Sequence, residues 1–108
     1  MITAVGVIGA GKTGQGIIQA LAQAGVNVVF KEMTEDLARA ALRSIEEIFD
    51  QRIQRWSITP SEKASTLSRI EFTTDYEPTL QPEIVIETVR DDLQIKSSIF
   101  RDVAALLD

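Results

Sequence analysis

The sequence predicts an α/β fold built around a parallel, doubly wound sheet, and two observations lead to this prediction. An apolar run without alternation occurs at residues 3–8, and further buried strands are predicted at 26–31 and from Ile84-Val85-Ile86 to about Val89, as in strands that are buried on both faces. Segments with helical periodicity lie between these runs, and strands that alternate with helices favour parallel βαβ units. The predicted order along the chain is β-α-β-α-α-β-β-α.

The first βαβ unit ends at residue 31. Glycines within residues 9–14 end the first strand, and a helix is predicted over about Thr13–Ala24. The inner stripe of this helix is formed by Ile17, Ile18, Leu21 and Ala22. Gly25 is typical of the residue that ends a helix, and the second strand, Val26–Lys31, follows it.

A helical hairpin is predicted over residues 34–68. Thr34 is suited to cap its first helix, and Glu35 and Asp36 follow in the first turn, where carboxylates favour the helix dipole. The apolar positions that keep to one face are Leu37, Ala41, Ile45, Ile48, Phe49 and Ile53. A capping-box pattern with proline at the first helical position then begins a second, short helix at Thr59-Pro60-Ser61-Glu62.

The last third of the chain predicts two more strands and a helix. Residues 70–73 alternate as in a strand with one wetter face, 76–82 are irregular, and Ile84–Val89 is another buried strand. Asp91 and Asp92 open a predicted last helix. Its apolar stripe is Ile95, Ile99, Val103, Leu106 and Leu107. The fourth strand is therefore expected to have an open edge, to be covered by a missing C-terminal domain or by another copy in a homo-oligomer.

Composition excludes several classes of function. A chain of 108 residues with 44% hydrophobic residues is sufficient for one domain, 1–108, with one core. The net charge of −5 without a basic cluster excludes the usual nucleic-acid and anionic-membrane binders. Cysteine and histidine are absent, so thiolate metal sites and the usual general base near neutral pH are absent too. No targeting or membrane-spanning pattern is present, so the cytoplasm is the expected location.

The strongest motif is a glycine pattern, G-x-G-x-x-G, between the first strand and the first helix. It consists of Gly9, Ala10, Gly11, Lys12, Thr13 and Gly14. The first glycine makes the tight turn, the second lets the backbone approach a pyrophosphate, and the third permits close packing of helix and strand. The N–H groups at the helix start point at the anion. This context predicts a Rossmann-type dinucleotide-binding fold with strand order 3-2-1-4.

A second, separate feature supports the same interpretation. The motif predicts an acidic residue about 20 residues further on, to hold the ribose 2′-hydroxyl, and Glu32 stands at the end of the second strand. A carboxylate there favours NAD, because it would repel the extra phosphate of NADP. The neighbouring Lys31 is interpreted as a solvated strand-end charge; turned inward, it would soften the preference against NADP.

The same region also matches the P-loop pattern G-x-x-x-x-G-K-T, from Gly6 to Thr13, with Glu87 as a candidate metal-positioning acid. This alternative would place Val7 and Ile8 in a solvated loop and would leave Glu32 unexplained. The dinucleotide hypothesis is therefore favoured, and a P-loop nucleotide-binding protein stays the less favoured alternative.

Four stretches together form a more specific pattern that covers nearly the whole chain. They are Val7-Ile8-Gly9-Ala10-Gly11-x-x-Gly14-x-Gly16-Ile17, Ala22-Gln23-Ala24-Gly25-x-x-Val28-Val29, Arg69-Ile70-x-Phe72-Thr73-Thr74-Asp75 and Ile84-Val85-Ile86-Glu87-x-Val89-x-Asp91-x-Leu93-x-x-Lys96. With the helical hairpin between them, these stretches resemble the NAD-binding domain of the 3-hydroxyacyl-CoA dehydrogenases.

The resemblance implies a reversible oxidation of 3-hydroxyacyl-CoA to 3-oxoacyl-CoA with NAD in the full enzyme. It implies that the glycine loop holds the pyrophosphate, that Glu32 holds the adenosine ribose, and that Asp91 and Lys96 contact the cofactor toward its nicotinamide half. Most members have aspartate in place of Glu32 and glutamate in place of Asp91, and a methionine in place of Thr13. The strand that follows the last helix, the catalytic His and Glu, and the helical domain are missing from this sequence.

Two hypotheses follow from this combination. The chain is either the cofactor-binding part of a longer dehydrogenase, or a short homologue that binds NAD or assembles with another chain without catalysis. In either case it contains no catalytic residue of its own, and acyl-CoA is a partner of the full-length protein.

Overall fold

The computed structural model describes residues 3–82, 84–89 and 92–97, and the side chains of 3–82 and 84–88. Its elements are β1 (Ala4–Ile8), α1 (Lys12–Gln23), β2 (Asn27–Lys31), α2 (Glu35–Gln54), α3 (Pro60–Leu67), β3 (Ile70–Thr73), α4 (Glu77–Leu80), β4 (Ile84–Val89) and β5 (Asp92–Ser97). The described strands form one sheet in the order β3-β2-β1-β4-β5. β1 to β4 are parallel, which confirms the predicted order 3-2-1-4.

The core lies between the sheet and the layer formed by α1, α2 and α3. Val7 and Phe30 project from neighbouring strands into this layer and are fully buried. From the helices, Ile18 of α1 and Phe49 of α2 pack against them. The stripe predicted for α1 is confirmed, since its four residues are buried or packed against this cluster. Burial of these side chains supplies the main driving force for docking the helices on the sheet.

The helical hairpin begins as the sequence predicts. The hydroxyl of Thr34 accepts a hydrogen bond from Leu37 N at 3.2 Å, and that of Thr59 accepts one from Glu62 N at 3.1 Å. One predicted core position is wrong: Leu37 is 50% exposed, and Ala38 is buried in its place. In the first turn of α2 the residue that faces the core is therefore Ala38, one position later than the apolar pattern predicted.

A short helix, α4, covers part of the opposite face of the sheet, where the sequence predicted only irregular structure. The contact is close at Gly6 of β1, because a Cβ added there would lie 2.1 Å from the carbonyl oxygen of Thr79. Thr79 is fully buried, and its hydroxyl donates to the carbonyl oxygen of Tyr76 at 2.5 Å. Gly6 thus permits α4 to lie directly against the sheet.

The predicted last helix is wrong over residues 92–97. These residues form β5, which pairs antiparallel with β4, so the edge of β4 is paired. Leu93 and Ile95 alternate with polar residues, and over so short a stretch this period of two competes with the helical period. Pairing satisfies the backbone groups along β4 that would otherwise have no partner. The remaining predicted stripe positions, Ile99, Val103, Leu106 and Leu107, lie outside the described residues.

Candidate functional site

The glycine loop joins β1 to α1 at the carboxyl edge of the sheet, and Gly9 fixes its turn. Gly9 has a φ of +93°, which favours glycine, and its N–H donates to the carbonyl oxygen of Lys31 at 3.0 Å. A Cβ at Gly9 would lie 2.7 Å from Oγ1 of Thr88. The loop is therefore held between the ends of β2 and β4.

The third glycine of the motif packs as predicted, with α1 close against the loop. A Cβ added at Gly14 would lie 2.3 Å from the carbonyl oxygen of Gly9. Thr88 completes this contact, because its hydroxyl donates to the same carbonyl oxygen at 3.0 Å. Thr88 was not predicted from the sequence; its position near the end of β4, two residues after the apolar run Ile84-Val85-Ile86, was the available signal.

The second glycine is open to its surroundings. A Cβ added at Gly11 would have no heavy atom of the described residues within 4 Å. Gly11 is also the N-cap of α1 and has no side chain to cap it, and an uncapped helix start of this kind favours an anionic ligand. Lys12 is exposed at this helix start, and Gln15 braces the loop by donating from Nε2 to Ala10 O at 2.9 Å.

Glu32 lies against the same loop. Its Oε1 accepts a hydrogen bond from Ala10 N at 2.5 Å, and its own N–H donates to the carbonyl oxygen of Thr73 at 3.1 Å. A groove of about 340 Å³ separates the loop from α2. It is lined by Ala10, Gly11, Gln15, Glu32, Leu37, Ala40, Ala41 and Ser44. The structure thus brings the predicted acid and the predicted anion-binding loop to one groove.

The prediction for Lys31 is wrong. Lys31 is only 9% exposed, and its Nζ lies 4.1 Å from the centroid of the Tyr76 ring. It shares a face of the sheet with Ile8 and Thr73, its register partners on β1 and β3. α4 covers this face, and Tyr76 precedes α4. A helix that the sequence did not predict therefore explains why this cation is buried.

Of the two residues predicted for the nicotinamide half, the structure describes only the backbone of Lys96. Asp91 lies outside the described residues. Lys96 lies on β5 and pairs with Val85 of β4. The carboxyl edge of the sheet is at Ile8, the last residue of β1, and its register partner on β4 is Glu87, two residues beyond Val85. The backbone of Lys96 is therefore set back from the carboxyl edge of the sheet.

The loop, groove and acid fit a dinucleotide. The uncapped helix start and the space in front of Gly11 suit a pyrophosphate, and the carboxylate beside them suits ribose hydroxyls. The P-loop alternative does not fit, because Gly6, Val7 and Ile8 lie in β1 and the first two are buried.

Among the residues that the structure describes, no group of three or more acidic, histidine or cysteine side chains could hold a metal ion. No helix in that part of the chain is long and apolar enough to cross a membrane.

Comparisons with known proteins agree with this geometry. The family model for the 3-hydroxyacyl-CoA dehydrogenase NAD-binding domain matches residues 4–108. The 3-hydroxybutyryl-CoA dehydrogenase of Mycobacterium tuberculosis is 35% identical over 102 residues, which cover 94% of this chain and 36% of that protein. A peroxisomal fatty acid beta-oxidation multifunctional protein of Arabidopsis thaliana, AIM1, is 30% identical and is covered over 14% of its length.

Solved structures give the same result. The crystal structure of (S)-3-hydroxybutyryl-CoA dehydrogenase PaaH1 from Ralstonia eutropha has a TM-score of 0.81 and 34% sequence identity, covering 85% of this chain and 32% of that one. The chain spans about a third of the length of such relatives. With the family model matching nearly every residue, the chain belongs to the 3-hydroxyacyl-CoA dehydrogenase family, as its NAD-binding domain.

Proposed function

We propose that NAD binds with its pyrophosphate at Gly9 to Gly14 and its adenosine ribose at Glu32. The observation that carries this assignment is the hydrogen bond between Ala10 N and Glu32 Oε1, which places the acid beside the loop. The second carboxylate oxygen of Glu32 has no hydrogen-bond partner within the described residues, so it is available to the ribose hydroxyls. Asp91 and Lys96 stay in the proposal as contacts toward the nicotinamide half, on the family resemblance alone.

The proposed activity of the whole protein is the reversible oxidation of a 3-hydroxyacyl-CoA to a 3-oxoacyl-CoA. When bound, NAD supplies the hydride acceptor, and this chain's part is to bind and orient it. The sequence contains no histidine, so the histidine–glutamate pair that removes the hydroxyl proton would come from residues outside this chain. Relatives are named for 3-hydroxybutyryl-CoA, which supports an acyl-CoA substrate.

The chain's setting is part of the same proposal. We place residues 1–108 as the N-terminal part of a longer dehydrogenase that acts in the cytoplasm, with a helical domain or a second copy beyond the sheet edge. The coverage of only 36% of the 3-hydroxybutyryl-CoA dehydrogenases supports this placement. The alternative is a non-catalytic binding module. It would be supported if the protein isolated from its host ended at residue 108 and bound NAD.

The test is calorimetric titration of the chain with NAD, beginning with two glycine variants that have room for a methyl group. Gly11→Ala should fold normally but weaken NAD binding by about tenfold, because its methyl group crowds the pyrophosphate, and overpacking costs on the order of 1–3 kcal/mol. Gly16→Ala is the matched control, since a Cβ at Gly16 also has no described atom within 4 Å. Equal affinities for the two variants would contradict the assigned pyrophosphate position.

The acid is tested in the same titration. Glu32→Ala should weaken NAD binding by at least about tenfold, the range for lost hydrogen bonds to a charged group. Glu46→Ala is the control, because Glu46 is an exposed residue of α2 and its loss should leave NAD binding unchanged. Unchanged binding in Glu32→Ala would remove the acid from the site. ATP–Mg²⁺ should be inert; tight binding that Lys12→Ala abolishes would establish the P-loop alternative instead.

A further inference from the structure

The two cations on either side of Glu32 in the sequence are both held by aromatic rings. Lys31 is buried with its Nζ over the Tyr76 ring. Arg39, in the second turn of α2, lies 5.3 Å from the centroid of the Phe72 ring and is paired with Glu35 at 2.7 Å. Such contacts fix a cation and partly satisfy its charge. Lys31 is therefore held away from the ribose end of the groove, while Arg39 is engaged with Glu35 and Phe72 on the surface of α2.

The charges that remain at the end of β2 and the start of α2 are negative. Glu32 faces the groove, and Glu35 and Asp36 occupy the exposed first turn of α2. A 2′-phosphate on the ribose would add its charge beside the carboxylate of Glu32, and Lys31, the adjacent cation in the sequence, is not directed there to compensate it. Lys31 is buried on the face of the sheet opposite the groove and does not turn toward the ribose, so it does not soften the selection against NADP.

We propose that Tyr76 determines cofactor specificity by holding Lys31 away from the ribose, and this inference rests on the proposed NAD site. Tyr76 is a positioning residue, since it acts through Lys31 and lies on the face opposite the groove. The ring lies 4.1 Å from the ammonium, at the distance of a cation–π contact. Without the ring, a buried unpaired charge is costly, and Lys31 turns out to the carboxyl edge beside Glu32.

The experiment measures dissociation constants for NAD and NADP by calorimetry in wild type and four variants. Tyr76→Leu should tighten NADP binding by about three- to tenfold, as expected for one added contact to a charged group, and leave NAD binding unchanged. Tyr76→Phe keeps the ring and should behave as wild type. Tyr76 is 57% exposed, so both variants are expected to fold.

Lys31 provides the internal controls. Lys31→Met should leave NADP binding as in wild type, because the cation is not used there, and the double variant Tyr76→Leu/Lys31→Met should lose the gain. If the ratio of the NADP to the NAD dissociation constant is the same in Tyr76→Leu as in wild type, the inference is overturned. Weaker NADP binding in Lys31→Met alone overturns it too.

The proposed function survives these two results as long as NAD still binds. The absence of NAD binding in wild type would overturn both the inference and the proposed function.

Discussion

At the scale of single residues, the three glycines of the loop have separate tasks. Gly9 supplies a positive φ, and Gly14 permits contact between α1 and the loop. A Cβ added at Gly11 would meet no described atom, so glycine is needed at this position only if a ligand approaches. The sequence motif predicts all three without saying which are needed for folding and which for binding. The distances to an added Cβ make that distinction, so mutation should separate stability from affinity.

Gly14→Ala should lower the free energy of unfolding. Its Cβ would lie 2.3 Å from the Gly9 carbonyl oxygen, a backbone atom that cannot turn aside, so the loop must shift at a cost of roughly 1–3 kcal/mol. Gly16→Ala, in the same helix, should instead gain about 0.5–1 kcal/mol from helix propensity. Urea denaturation measures both, and a Gly14→Ala variant as stable as Gly16→Ala would show that the loop yields without cost.

At the scale of the elements, helix starts follow the sequence more closely than the end of α2 does. The caps at Thr34 and Thr59 form the predicted hydrogen bonds. The chain leaves α2 through Trp56, which has a φ of 60° and is 94% exposed. Glycine is the usual residue at this place, and a bulky side chain there is strained. Because the indole is almost fully exposed, its packing does not offset the cost of that strain.

Trp56→Gly should therefore stabilise the chain. Relief of left-handed strain, about 1–2 kcal/mol, exceeds the entropic cost of glycine, leaving a gain of about 0.5–1 kcal/mol in the free energy of unfolding. Arg55→Gly is the control, because Arg55 has a φ of −92° and should lose stability. Thermal denaturation followed by circular dichroism measures both changes. A less stable Trp56→Gly variant would mean that the ring packs on the hollow beside it, lined in part by Ile53 and Ile58.

The elements that the sequence did not predict have a common physical cause. α4 has only four residues, too few for a helical period to show, and it exists because Gly6 lets it pack on the sheet. β5 has only six residues, and their apolar pattern fits both the period of two of a strand and the period of a helix. Pairing with β4 favours the strand. The burial of Lys31 follows from α4 in turn. Local pattern predicted the elements with a clear period, including the four-residue β3, whereas tertiary contacts decided α4 and β5.

At the scale of the whole molecule, the two faces of the sheet are covered unequally. In the described part of the chain, α1, α2 and α3 cover one face, while α4 alone covers part of the other. Val29 and Ile8 on that second face are only partly buried. The glycine loop links the strands on either side of β1, because it contacts β2 through Lys31 and β4 through Thr88. A ligand on the loop therefore bears on the stability of the whole sheet.

Some parts of the candidate site could be predicted from the sequence, and others depend on tertiary structure. The pairing of the loop with Glu32 was predictable because both lie at carboxyl ends of neighbouring parallel strands, β1 and β2. Thr88 and Tyr76 were not, because their roles depend on which strand neighbours β1 and on a helix of one turn. Glu32 was predicted as a ribose contact, and its additional contact to Ala10 appears only in the structure.

Cofactor binding should consequently stabilise the entire domain rather than the loop alone. At a free NAD concentration of 100 times the dissociation constant, linkage gives about 2.7 kcal/mol. For a domain of about 100 residues this corresponds to a rise in Tm of roughly 10 °C or more. Differential scanning calorimetry with and without NAD measures the shift, and a single transition that moves as a whole is the expected form.

The glycine variants make this linkage quantitative. At the same NAD concentration, Gly11→Ala should lose about 1.4 kcal/mol of the stabilisation, the equivalent of a tenfold weaker affinity, whereas Gly16→Ala should keep all of it. Because neither substitution meets a described atom in the free chain, their unliganded transitions differ only by local propensity. Equal NAD-dependent shifts in the two variants would mean that the cofactor does not approach Gly11. An equal shift with ATP–Mg²⁺ would mean that the groove binds nucleotides without selecting the dinucleotide.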